Sequence, residues 1–114
     1  MLFHFQLHLK IYHWQTFSAP RHAASERLLS KLQEFTDDMV EFCQGRHETR
    51  LNVELGSTLK LRNVVEEGED YGYELVRDLC KNIEELKCED QAIDNKRQEL
   101  LGEIERTLYL FTFQ

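Results

Sequence analysis

Between His22 and Gln44, the residues Leu28, Leu32, Phe35, Met39 and Phe42 recur at alternating spacings of four and three. This is the signature of a single apolar stripe along an α-helix. At 100° per residue the five side chains share about 80° of arc, so such a helix must bury one side against other elements. Its start is marked by Ser18-Ala19-Pro20, with Ser18 as N-cap and Pro20 in the first turn, and Gly45 supplies a stop.

The rest of the chain reads in the same way. One proline and five glycines in 114 residues, with 31% of residues charged, favour long helices over many short strands. Helical spacing returns with Tyr71, Leu75, Leu79, Ile83 and Leu86, and again after Asp90 with Ile93, Leu100, Ile104, Leu108 and Phe111. The break between these two helices is placed at Lys87 to Asp90, with Asp90 as N-cap. Between Arg46 and Asp70, Val53/Leu55 and Leu59/Leu61 alternate at period two, and Gly56 and Gly68 interrupt any helix. A connecting segment is expected there, with one short helix near Thr58 to Glu67. The first segment fits two patterns. Phe3, Phe5, Leu7, Leu9 and Ile11 alternate as in a strand, while Leu2, Phe5, Leu9 and Tyr12 follow helical spacing. The helix is preferred because a lone strand would have no partner. The expected fold is therefore one all-α domain spanning 1–114, a four-helix bundle with a long connection between helices two and three.

Charge and composition exclude several classes. Lys+Arg 14 against Asp+Glu 21 gives a net charge of −7, with the basic residues scattered, so no nucleic-acid partner is expected. The longest apolar runs, such as Leu108 to Phe111, fall far short of the ~20 residues that span a bilayer, so no membrane partner is expected either. Met1-Leu2-Phe3-His4 shows no secretory pattern, and a cytoplasmic location is the expectation. Cys43, Cys80 and Cys88 are odd in number and contain no Cys-x-x-Cys, which suits buried free thiols in a reducing compartment.

The helix that begins near Pro20 also has a second face. Counting rotation from His22, Glu26 falls at about 40°, Asp37 at about 60° and Glu41 at about 100°, away from the apolar stripe at about 200° to 280°. His22 with Glu26 and Asp37 with Glu41 are each spaced four apart, so each pair meets on neighbouring turns. The pairs lie roughly 22 Å apart along the axis and cannot hold one ion within one chain. An antiparallel second copy would bring His22 and Glu26 of one chain against Asp37 and Glu41 of the other, giving two equivalent sites. Ser30 and Gln33 lie midway and are small or neutral enough to permit a close crossing.

The run Lys10-Ile11-Tyr12-His13-Trp14-Gln15, followed by His22, Glu26, Asp37 and Glu41, resembles the signature of the Dps-type mini-ferritins of the ferritin-like superfamily. The resemblance is specific over about Leu7 to Gly45. It implies a ferritin-like four-helix bundle with His13, His22 and Glu26 as metal ligands from one subunit and Asp37 and Glu41 from its neighbour. It also implies iron as the metal (Fe2+/Fe3+), ferroxidase chemistry with peroxide or oxygen, a homodimer through helix two, and assembly of a larger shell. No catalytic residue separate from the ligands is implied. The same stretch resembles short ferritin-like proteins encoded by large DNA viruses and phages. The alternative role is a non-enzymatic structural or interaction subunit, virion-associated if virus-encoded, that keeps the dimer face without metal chemistry.

Each candidate also has an ordinary reading. The acids can form a solvated face, and His13 beside Trp14 can be a packed histidine at a helix end. Trp14 is read as a core anchor before it is read as a quencher of reactive oxygen beside an iron site. His4 and His8, four apart, chelate only if helical; His47 and the acidic run Glu66 to Asp70 have no evident partner and read as exposed. Nothing resembles a Gly-rich phosphate loop, a Ser-His-Asp order or a Cys nucleophile with a base.

Overall fold

In the computed structural model, which describes residues 2–52, 59–86 and 88–113, the chain forms five helices. They are α1 (Leu2–Gln15), α2 (Ala19–His47), α3 (Val64–Glu67), α4 (Tyr71–Glu85) and α5 (Gln91–Leu110), with no strand among the described residues. The first segment is helical because its burial follows the helical spacing: Phe5, Leu9 and Tyr12 are buried while Phe3 and Leu7 are exposed. A strand would have placed all four phenylalanines and leucines on one face.

The helix boundaries follow the capping chemistry. Ser18 Oγ accepts the Arg21 N–H at 3.3 Å and Pro20 sits in the first turn, as expected. Gly45 does not stop α2, which runs on to His47 and closes at Glu48 in the left-handed region (φ 52°). A glycine inside a helix costs only about 1 kcal/mol relative to alanine, so by itself it need not terminate one. Asp90 caps α5, its carboxylate accepting from the Ala92 N–H at 2.9 Å and the Ile93 N–H at 3.3 Å. The expected short helix in the connection is the single turn α3, closed by Gly68 at φ 89°. Leu59 and Leu61 beside it are exposed, and Val53 and Leu55 lie outside the described residues.

The four long helices pack in a ring, α1 on α2, α2 on α5, α5 on α4 and α4 on α1. Leu9, Tyr12, Leu28, Leu32, Val76, Leu79, Ile83, Ile104 and Phe111 are fully buried in one shared core. Each leucine or isoleucine of this size stabilises the fold by about 1.5–3 kcal/mol through burial. The α2 stripe reaches the core through Leu28, Leu32 and Phe35, whereas Met39 and Phe42 are only partly covered.

One buried cation ties four segments together. Arg21, 6% exposed, donates Nε to the Phe111 carbonyl at 2.9 Å and Nη1 to the Glu69 carbonyl at 3.1 Å and the Tyr12 hydroxyl at 3.3 Å. Glu69 also accepts the Thr16 hydroxyl, and Tyr12 donates to the Glu69 carbonyl at 2.9 Å. The run Glu66 to Asp70 is therefore not merely a solvated acidic turn: Glu69 closes the α1–α2 corner.

Two further expectations change. Trp14 is 66% exposed and is no core anchor, because the α1 face it shares with Phe3 and Leu7 points away from both α2 and α4. The cysteines are not buried thiols: Cys43 is exposed, and Cys80 and Cys88 are half-buried. No described helix is long and apolar enough to cross a membrane.

Candidate functional site

The corner between α1 and α2 brings His13 and His22 face to face. His13 lies in the last turn of α1 and His22 near the start of α2, joined by a short connection. Their rings stack at 3.9 Å between centroids with 21° between planes. His13 Nδ1 donates to the His22 carbonyl and His22 Nδ1 donates to the His13 carbonyl, both at 2.8 Å. The pairing is reciprocal, and it uses a carbonyl from the end of α1, where the last four lack helical partners.

This geometry dictates tautomers. A carbonyl can only accept, so each Nδ1 carries a proton and, in the neutral ring, each Nε2 keeps its lone pair. Among the described residues neither Nε2 has a hydrogen-bond partner. Imidazole held at Nδ1–H by a carbonyl is the arrangement that orients a histidine for metal ligation through Nε2. Ser25, fully buried, donates to the His22 carbonyl at 3.0 Å and sits 3.5 Å from His13 Nδ1, packing the corner from below. His13 is buried to 7% exposure while His22 is open to solvent, so the pair is reachable from one side.

The carboxylates lie on the exposed face of α2. Glu26 is one turn beyond His22, and Asp37 and Glu41 follow toward the other end of the helix. The structure brings His13 to His22 but leaves Asp37 roughly 22 Å and Glu41 roughly 28 Å away along the axis. Among the described residues no three His, Cys, Asp or Glu side chains converge as metal ligands within one chain.

The acids of α2 nonetheless fall into two sets. Glu34 pairs with Lys31 at 3.7 Å and Asp38 with Lys96 at 3.0 Å. Glu26, Asp37 and Glu41 make no ion pair or hydrogen bond among the described residues. Negative charge on the His22 face is thus left uncompensated, where a cation gains most from it.

His4 and His8 are on one helix, with ring centroids 4.3 Å apart, but they face inward. His8 is fully buried with Nδ1 on the His4 carbonyl at 2.8 Å, and its Nε2 has no partner. Burial of His8 makes this pair a packing feature and not an open chelate.

Sequence reasoning missed Ser25, Arg21 and Glu69. Ser25 lies three residues after His22, a spacing that allows its hydroxyl to reach the His22 carbonyl, and that was the available signal. Arg21 offered none, since its partners lie up to ninety positions away. Comparison of the chain with protein-family models, curated proteins and solved structures finds no match.

Proposed function

We propose that this chain binds and oxidises ferrous iron at a site completed between two copies of itself, in the manner of the Dps-type mini-ferritins. The observation that carries the reading is the reciprocal His13–His22 pair, which presents two lone-pair nitrogens on locked rings. An antiparallel crossing of two α2 helices would set His13, His22 and Glu26 of one copy against Asp37 and Glu41 of the other. Imidazole and carboxylate donors suit iron and leave coordination positions for an oxidant. The packing of four long helices in a ring supports a ferritin-like four-helix bundle as the scaffold.

Iron in this reading is substrate. The residues act by holding two imidazoles at fixed tautomers and by supplying unpaired carboxylates that balance the cation's charge. The exposed face of α2, with Ser30 and Gln33 at its middle, is the surface that a second copy would cover.

Anaerobic ferrous titration of the metal-free protein, followed by a peroxide pulse, tests the reading. Saturable binding and fast oxidation, both lost in the His22→Ala/Glu41→Ala double variant, are the expected outcome. Binding no greater than that of the variant would overturn it and leave a structural subunit whose His and acid positions form interchain ion pairs.

A further inference from the structure

At the far end of α2 from the histidine pair, two of the three cysteines line one groove. Cys43, exposed on α2, and Cys88, half-buried in the connection between α4 and α5, face the same space of about 290 Å³. His47, one turn beyond Cys43, lines it too. An ion pair joins the two walls: Arg46 donates to Asp90 at 3.1 Å, and the same guanidinium stacks on Phe42 at 4.8 Å. Arg46 follows Cys43 by three residues and Asp90 follows Cys88 by two, so the contact holds the segments that carry the thiols side by side.

The third thiol is set apart. Cys80 lies on α4, outside this groove, and donates to Glu84 Oε1 at 3.2 Å. Burial and that carboxylate push it up to about 11, so it stays a thiol at neutral pH. The pair that remains is one solvent-open cysteine and one half-covered cysteine on the walls of one groove that His47 also lines.

We propose that Cys43 and Cys88 are a peroxide-sensing dithiol that closes to an intramolecular disulfide. Cys43, the more exposed, gives its proton to His47 or water, and its sulfur attacks one oxygen of hydrogen peroxide. The O–O bond breaks, water leaves, and Cys43 becomes a sulfenic acid. The Cys88 thiolate then attacks that sulfur, the S–O bond breaks, and a second water leaves as the S–S bond forms. Two thiols are oxidised and one peroxide is reduced to two waters. The bridge ties the end of α2 to the α4–α5 connection and closes the long chain between them, the kind of loop whose closure restricts the unfolded chain most. Cys43 follows Glu41 of the proposed iron site by two residues, but helical rotation sets it about 160° away around α2, so the groove and the His22 face lie on different sides of the helix.

The test treats the full reduced chain with hydrogen peroxide in the presence of a metal chelator and reads intact mass and non-reducing peptide maps. Expected is the loss of two hydrogen atoms per chain, reversed by a thiol reductant, with Cys43 and Cys88 in one linked peptide. Cys80→Ser should retain that change, and Cys43→Ser and Cys88→Ser should each abolish it. Circular dichroism of the reduced variants separates lost pairing from lost fold, since Cys43 is exposed, Cys88 is half-buried in a connection and Cys80 only packs against the core from its edge. Added oxygen without hydrogen loss, chain-to-chain crosslinks, or a linkage containing Cys80 would each overturn the proposal.

Discussion

Arg21 Nε donates to the Phe111 carbonyl at 2.9 Å, linking the start of α2 to the residue that closes α5 ninety positions later. The guanidinium also lies 5.6 Å over the Phe111 ring, so one side chain holds both the backbone and the side chain of that residue. Burial lowers the Arg21 pKa, but its bonds to Tyr12 and Asp70 outweigh this and leave it raised. Arg21→Ala would strand the Phe111 carbonyl and weaken Glu69 and Tyr12. The expected loss is about 2–4 kcal/mol in denaturant unfolding. Arg21→Lys should recover little of it, because an ammonium lacks the fork that reaches several acceptors at once. A loss below 1 kcal/mol would show that the corner is held by apolar packing alone.

If the iron site is shared between copies, two inactive variants should rescue each other. His22→Ala and Glu41→Ala each spoil both sites of their own dimer. In a mixed dimer one site carries both substitutions and the other carries neither. Random re-pairing makes half of the dimers mixed, so an equimolar mixture should recover about a quarter of wild-type oxidation. Activity of the mixture equal to that of either variant alone would overturn a site shared between copies.

Gly72 has no room for a side chain. A Cβ there would overlap Tyr12 Cζ and Cε2, and Tyr12 is fully buried with its hydroxyl bonded to Glu69 and Arg21. Gly72→Ala gains about 1 kcal/mol in helix propensity, yet overpacking against a fixed ring costs more. The net expectation is a destabilisation of about 1–2 kcal/mol, read as a fall in Tm. Tyr12→Phe in the same background should not restore it, since removing the hydroxyl leaves the closer clashes with the ring carbons.

The docking of α1 should weaken in acid. Burial, followed by His8 and with Arg62 contributing, holds the His4 pKa below its ordinary 6.5. The unfolded chain therefore takes up a proton more readily than the folded one. Stability from this group is complete above pH 6.5 and is lost as pH falls through and below that value. His4→Gln should flatten the decline in Tm between about pH 7.5 and about pH 5, and an unchanged slope would assign the acid sensitivity to other groups.

Cys80 should react with iodoacetamide far more slowly than a free cysteine. A thiol pushed up to about 11 carries little thiolate at neutral pH. Against the ordinary value of 9.0 its reaction should be slower by about a hundredfold. Glu84→Gln removes the carboxylate that accepts its proton and should speed it, as read from peptide masses over time.

The helices were legible because each carries its own record. The stripe from Leu28 to Phe42, the caps at Ser18 and Asp90, and the spacing of Phe5, Leu9 and Tyr12 are local patterns. Gly45 misled because a helix ends where its last carbonyls find other partners, and that happens at Glu48. Trp14 misled because apolar character does not say which side of α1 the neighbours occupy.

Within the candidate site, the order of residues specifies the offsets from His22 to Glu26, Asp37 and Glu41, and with them a shared helix face, since helical rotation converts spacing into direction. The tertiary structure alone decided that His13 turns back onto His22, that each ring bonds the other's backbone, and that Arg21 lies buried under Phe111. These contacts depend on how α1, α2 and α5 are set against one another. That setting is the sum of many weak apolar contacts spread over the whole core, and no short stretch of chain records it.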